Sequence, residues 1–492
     1  MLLTYIKCNQ RSGKPRYNRG KREKAMAQEK QVKTPNPDRM PWGRFFAWKT
    51  RDIALAAVTV IINGYLLLYC SNQLGLDTRI IGVLILAARI VDAVTDVLAG
   101  YIVDNTNTKL GKARPYEICI VLEWLCMIAL FFCNAQWATF FKYAYVFILY
   151  ILIYSVFNTM LNANQSPYMV RAFNGNRPII TKVASFGGIV SMAGSIVVSM
   201  TFPRLYNSWV VLGNGGAAAW RKLIIIYAIP MMILGIIRFL TVKEDPSVDA
   251  GQSKKMDLKE ALTMLRTNPY AWSFGGMIGL YQMAVGFGAG AIYFQYIVGD
   301  AGAFGIVSAM AMMLLPIMLI FPTLIKKMGM TKLFIIFAAD AVAGYVTVFF
   351  AHGSLAMVYV GIIITNLISL PCSYLQTPGI MDIANYNEYK GMHRMEGTSG
   401  VVMNFLSKAL NGVGTGLTGI LLGFAGYISS TGTEVVTQPD SAIMMIRLLY
   451  SLIPGLCVAG IILCSLHFMK LEKQMPQINA ELKARKEAAG IE

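Results

Sequence analysis

Asp92 and Asp96 stand four residues apart in the stretch ILAARIVDAVTDVLAG, with Arg89 three residues before the first of them. On a helix the two carboxylates share one face, and Arg89 lies one turn earlier on it. A pair of carboxylates supplies the oxygen donors that a bare alkali cation or a proton needs, since hard cations prefer oxygen ligands. The competing reading is a staple, with Arg89 or a base from another helix pairing the acids. Lys408, in NFLSKALNGVG, is a second charge in apolar surroundings. An ammonium there needs an acid partner to keep its charge. If it reaches Asp92 or Asp96 it competes with the cation and occupies the site when the cation is gone. The alternative is snorkelling to an interface.

Other polar groups extend the set. In YSVFNTMLNANQSPYM, the spacing puts Ser155, Asn158 and Asn162 on one face, with Asn164 and Gln165 at its end. Amides and hydroxyls both donate and accept, which suits sugar hydroxyls and suits interhelical hydrogen bonds equally. Asp382, Glu388 and Arg394, with Asp104, Lys112 and Arg114 from an earlier turn, read as a cytoplasmic gate of ion pairs, the alternative being a solvated loop. Glu123 and Asp340 are isolated acids that either relay protons or lie neutral or in a polar crevice, the second being expected. Cys119, Cys126 and Cys133 recur every seven residues as small apolar fillers, and three histidines form no metal cluster. GVGTGLTG contains a GxGxxG match without the strand that a dinucleotide site requires, and reads instead as small-residue helix packing. No nucleophile–base–acid set stands out, so an enzyme is not expected.

These side chains must be carried by membrane helices. Of 492 residues 55% are hydrophobic and only 14% charged, with a mean hydropathy of +0.52. A soluble domain carries about 25% charged residues. Twelve apolar runs approach the ~20 residues that span a bilayer: about 51–72, 79–103, 115–134, 142–169, 180–202, 220–242, 270–298, 302–325, 333–351, 354–385, 396–427 and 441–469. The runs are continuous rather than alternating, so helices are expected, not a barrel. With both termini on one side, 36 of the 44 Lys+Arg fall in the tails, the even-numbered loops or the span ends beside them. Five (Arg79, Lys142, Arg204, Arg221, Lys222) fall opposite, and Arg89, Lys408 and Arg447 lie within spans. That asymmetry places both termini in the cytoplasm.

The expected organisation is a basic cytoplasmic tail (1–47), a six-helix bundle (48–242), a central cytoplasmic loop (243–269), a second six-helix bundle (270–470) and a cytoplasmic tail (471–492). The net charge of +18 is concentrated in the first tail, which argues against nucleic acid as a partner. The first 25 residues read as an assigned-start artefact, with translation beginning at Met26 or Met40, against the alternative of a lipid- or partner-binding arm. The turns GYIVDNTNTKLGKARP and FPTLIKKMGMTKLF are short, basic and glycine-containing, and occupy the same place in each half. Such internal repeats are how many transporters are built.

RIVDAVTDVLAGYIVDNTNTKLGKARPYE resembles the helix-two signature of the glycoside–pentoside–hexuronide:cation symporters, within the major facilitator superfamily. AIYFQYIVGDAGAF and NEYKGMHRMEGTSGVVMNFLSKALNGVGTG are similar to that family's helix-seven end and its loop into helix eleven, so the resemblance runs from about Trp48 to Lys470. It implies that Asp92 and Asp96 bind the coupling Na⁺, Li⁺ or H⁺, helped by Thr95 and Ser155, with Lys408 as the helix-eleven lysine. The chain departs from the pattern at Val97, where proline is usual, and at Thr95, where an amide is common. Melibiose permeases of this family bind sugar through acids on helices one and four. Here the helix-four position holds Asn158, and Asp52 is the only acid on helix one. An arginine early in helix five is replaced at most by Lys182.

The expectation is a cation-coupled symporter that takes up a sugar, glycoside or hexuronide by alternating access, working as a monomer without a resident cofactor or metal. Asn158, Asn162, Arg89 and Asp52 are the expected substrate-side residues. The alternatives are a carrier or exporter of an amphiphilic, lipid-like cargo, and a sugar sensor that binds without transporting.

Overall fold

A computed structural model describes residues 40–106, 108, 110–245, 266–391, 396–429 and 436–488. Among these residues the chain is helical, with no strand. The first helices are α1 (Trp42–Asn72), α2 (Thr78–Asn105), α3 (Cys119–Phe131), α4 (Thr139–Ile151), α5 (Thr159–Ala163), α6 (Gln165–Ala172), α7 (Arg177–Tyr206) and α8 (Gly216–Thr241). After the central connection come α9 (Pro269–Gly286), α10 (Gly290–Tyr293), α11 (Phe304–Met310), α12 (Leu315–Met328), α13 (Met330–Phe350) and α14 (Leu355–Asn366). The chain ends in α15 (Ser369–Tyr374), α16 (Gln376–Tyr389), α17 (Glu396–Phe424), α18 (Asp440–Tyr450) and α19 (Leu452–Ala488).

Among the described residues seven helices are long and apolar enough to cross a membrane, and eight if α9 and the Gly290–Val298 segment, bent by 42°, form one span. Several expected spans miss that test for visible reasons. The middle of α2 carries Arg89, Asp92 and Asp96, α3 is only 13 residues long, and a 3₁₀ turn at Ala311–Leu314 separates α11 from α12. The expected tails are also partly helical. α1 begins at Trp42, because Phe45 and Trp48 are buried against Tyr168 and Phe173. α19 runs on to Ala488 with Leu471, Met475, Ile478 and Leu482 buried at helical spacing.

Two features of this packing position the site. α4 passes into α5 through a π-helical stretch, Leu152–Asn158, which shifts the register of every side chain after it. α17 lies between α2 and α9, and glycines on the facing helices set how closely. A Cβ on Gly82 would sit 2.4 Å from the Gly416 carbonyl, and one on Gly419 2.5 Å from that of Thr78. Gly414 meets the Met283 carbonyl of α9 in the same way, at 2.3 Å. The GVGTGLTG stretch is thus a close-packing surface, and it presses α17 against the helix that carries the two aspartates.

The repeated turns have the same construction in each half. Gly111 and Gly329 both have positive φ, +116° and +83°, which glycine adopts without penalty. Each packs against a carboxylate from a distant part of the chain, Glu244 just past α8 and Glu472 within α19. Glu244 accepts from the backbone N–H groups of Lys112 and Ala113, both at 2.8 Å, and of Arg114. Glu472 accepts from those of Met330, at 2.5 Å, and Thr331, at 3.0 Å.

At the end where α1 finishes and α2 starts, the two sets of helices are hydrogen-bonded together. Asn72 donates to the Tyr296 hydroxyl (3.2 Å) and accepts from Tyr427 (2.9 Å). Tyr206 donates to Gln295 (3.0 Å) and Ser429 to the Leu76 carbonyl (2.8 Å). Inside this seal lies a crevice of about 330 Å³ bounded by Asn63, Ile85 and Tyr150 on one side and Gly288, Thr415 and Thr418 on the other.

Candidate cation and substrate site

The two aspartates of α2 meet a hydroxyl and an ammonium from two other helices. Thr159 of α5 places Oγ1 2.9 Å from Asp92 Oδ1, 3.3 Å from Asp96 Oδ1 and 3.2 Å from the Tyr154 carbonyl. Its single proton satisfies one of these at a time, leaving lone pairs for a cation. Lys408 of α17 donates to both oxygens of Asp96, at 2.8 and 2.6 Å. This pair stays partly open to solvent, the side chains being 42% and 33% exposed, whereas Asp92 is buried. Arg89 Nη1 lies 4.0 Å from Asp92 Oδ2, and its guanidinium sits 4.8 Å from the Tyr154 ring centroid. Gly412 makes room for it, since a Cβ there would meet Arg89 Cγ at 2.3 Å.

Thr95 and Ser155 are not the hydroxyls on the carboxylates. Thr95 bonds back to its own helix, to the carbonyls of Val91 (3.1 Å) and Asp92 (3.0 Å), a common state for a helical threonine. Ser155 is buried and donates to the Ala88 carbonyl at 3.3 Å, cross-linking α2 to the π segment. Thr159, four residues on from Ser155, takes the place expected of it. Its i+4 spacing from Ser155 was visible, but the extra residue in the π turn was not.

Asn158 and Asn162 lie one turn apart and bond to each other: Asn162 Nδ2 donates to Asn158 Oδ1 at 2.7 Å. Asn158 Nδ2 in turn donates to Glu123 Oε1 at 3.3 Å, so Glu123 of α3 belongs to this group rather than standing alone. Asp52 is placed elsewhere. Its carboxylate accepts from Lys49 (2.7 Å), Arg51 (3.2 Å) and Arg238 (3.4 Å), and three cations leave it poorly placed to receive a sugar hydroxyl. Around it a buried network has formed that the sequence reading missed. Arg51 also donates to Glu117 (3.3 Å), the Leu161 carbonyl (2.7 Å), Asn164 (3.3 Å) and Gln165. Arg238 lies 3.2 Å from the Trp48 ring centroid and 3.4 Å from Glu117. Such a network was not legible because its members come from four distant segments.

The expected gate is only partly visible. Lys112 and Arg114 belong to the Glu244 turn, and Arg114 Nε donates to the Phe239 carbonyl at 2.9 Å, within its own half. They are therefore built into a clasp inside one set of helices. Asp382 and Glu388 lie on α16. The Asp104 side chain and Arg394 fall outside the described residues.

Helix-borne acids facing a lysine across two helical sets, in an all-helical membrane fold, define a secondary transporter. The chain belongs to the MFS/sugar transport protein family, whose model matches residues 50–473. It is a multi-pass membrane transporter and not an enzyme. It is 24% identical over 461 residues to an isoprimeverose transporter of Lactiplantibacillus pentosus, covering 91% of this chain and 92% of that one. It is 22% identical to a glucuronide carrier protein homolog of Escherichia coli (strain K12), covering 84% and 90%. A lactose permease of Lactobacillus helveticus is 25% identical over 83% of this chain and 65% of its own length. The fold resembles that of a proton-dependent oligopeptide transporter, with a TM-score of 0.62 at 13% identity, over 88% of this chain and 99% of that one. A nucleoside transporter, NupG, matches at 0.58 and 14%, over 87% and 98%.

Proposed function

We propose that this protein is a cation-coupled symporter that takes up a sugar, glycoside or hexuronide by alternating access, with twelve spans and both termini in the cytoplasm. The arrangement of Asp92, Thr159, Asp96 and Lys408 carries the reading. Two carboxylates and a hydroxyl supply the oxygens for Na⁺ or H⁺, and Lys408 holds the place of the cation when the site is empty. A cation that binds between the aspartates must release Lys408 from Asp96. That movement, at the contact between the two sets of helices, is the event that links ion occupancy to the substrate cavity. By linkage, an ion that strengthens sugar binding is itself bound more tightly when sugar is present. The partial exposure of Asp96 and Lys408, together with the hydrogen-bonded seal at the end of α1, supports an inward-facing state. Asn158, which immediately precedes Thr159, and Asn162, three residues beyond it, are the substrate-side donors and acceptors, with Arg89 beside the ion site.

The test is electrical. The chain reconstituted into liposomes is exposed to isoprimeverose, lactose and phenyl glucuronide, with and without Na⁺ and over a range of pH, while currents are recorded. A sugar-evoked current that disappears in Asp92→Asn/Asp96→Asn establishes symport and locates the ion. A current untouched by the double substitution shows that the acids are a structural staple, and no response to any sugar turns the assignment toward amphiphilic cargo.

A further inference from the structure

Glu123 has no place in the ion site, yet it is fully buried and its environment is unbalanced. Oε1 accepts from Asn158, while Oε2 is buried without a hydrogen-bond partner, and among the described residues no ion pair includes it. The groups that face it are few. Arg51 of α1 lies near but is engaged by Glu117, Asp52, Asn164 and Gln165. Tyr154 approaches from the π segment, and Cys119 and Cys126 lie on its own helix. Arg238 of the adjoining α8 is held by Glu117 and Asp52. A carboxylate only accepts, so it fixes the Asn158 amide with nitrogen inward and oxygen outward. That oxygen then takes the Asn162 N–H, which leaves the exposed Asn162 presenting its own carbonyl oxygen and one remaining N–H.

We propose that Glu123 is a positioning residue for the substrate: acting through Asn158 and Asn162, its carboxyl sets the hydrogen-bond polarity that the cavity offers to sugar hydroxyls. The proposal rests on the reading of Asn158 and Asn162 as substrate-side groups. Protonation of Glu123 turns an acceptor into a donor and allows both amides to reverse. Substrate affinity and the preference among sugars therefore follow the state of a group that touches neither sugar nor ion.

The experiment measures exchange of isoprimeverose, lactose and phenyl glucuronide in proteoliposomes containing the intact chain. KM and kcat are recorded against pH for the parent, Glu123→Gln, Glu123→Asp and Asn162→Ala. Asp92 and Asp96 are common to all four, so differences between their pH profiles belong to the relay. In Glu123→Gln we expect KM to rise about tenfold, the effect of one misdirected hydrogen bond, with kcat little changed. Its KM should lose the pH step that Glu123→Asp retains, and the order of sugar preference should change. If Glu123→Gln does not fold, Asn158→Leu breaks the relay with the carboxyl in place and should remove the same step. A parent-like profile in Glu123→Gln or Asn158→Leu, while Asn162→Ala raises KM, overturns the proposal alone. An unchanged KM in Asn162→Ala, or exchange of none of the sugars, overturns the substrate reading and the proposal with it.

Discussion

At the scale of single residues the site is a balance of charge. Asp92 and Asp96 face two basic groups: Lys408 pairs with the second at hydrogen-bond distance, and Arg89 stands 4.0 Å from the first. An ordinary ion pair would be a staple, but this one is partly exposed and its ammonium arrives from the opposite set of helices. On the proposed reading it can yield to a diffusible cation without leaving a buried charge unpaired, because Lys408 is already partly open to solvent. Thr159 is the group through which this idea is most cleanly tested. Replacing it with valine removes a ligand oxygen and keeps the shape, so the cation concentration giving half-maximal sugar current should rise about fivefold, in line with about 1 kcal/mol for one polar contact. Thr159→Ser should stay near the parent, and Ser155→Ala, which loses only a bond to the Ala88 carbonyl, should shift the same titration by less than about threefold. If Ser155→Ala proves the more damaging of the two, the assignment of the hydroxyl is wrong.

At the scale of elements, α17 joins the proposed ion site to the scaffold, because it carries Lys408 and glycines that, with Gly82 of α2, seat it on that helix. Gly82→Ala should force the two backbones apart, since the added Cβ would lie 2.4 Å from a carbonyl that cannot rotate away. We expect a stability loss of about 1–3 kcal/mol by thermal unfolding in detergent and a weaker cation response. Gly64→Ala, whose Cβ meets open space, should be neutral or slightly stabilising. Equal behaviour of the two variants would mean the contact is loose. These elements also show what could be read in advance. The paired acids, the lone lysine and the small-residue stripe are local patterns, and each was legible because helical period alone sets which residues share a face. The repeated turns were legible as an echo, but their partners Glu244 and Glu472 were not, each lying 130 residues or more from the amides it caps. The same limit hid the Arg51–Glu117–Arg238 network and the ion pairs that hold Asp52. Thr159 was lost for a different reason, since a π turn adds a residue that no fixed period anticipates.

At the scale of the whole molecule, alternating access requires that the seal at the end of α1 be strong enough to close and weak enough to break. Asn72 is its centre, bonded to Tyr296 and Tyr427 across the two sets of helices. Neither bond involves a charge, so each contributes about 1 kcal/mol to the closed state. Removing both in Asn72→Ala/Tyr427→Phe should therefore move the equilibrium by about 2 kcal/mol, roughly thirtyfold, toward opening at that end. Thr418 reports the change, being buried beside the crevice inside the seal, with its hydroxyl spent on its own helix at the Gly414 carbonyl. In a Thr418→Cys background, labelling by a membrane-impermeant maleimide, read at that site by mass spectrometry, should be slow with the seal intact. It should be faster by at least about fivefold in the double variant, and added coupling cation and sugar should speed it in the parent. Labelling that stays slow in the double variant while sugar still accelerates the parent would place the closing energy elsewhere, in the glycine-packed contact of α2 with α17. The seal would then be a consequence of that contact rather than its counterweight, and occupancy at Asp92 and Asp96 would act on opening directly through the helix that bears them.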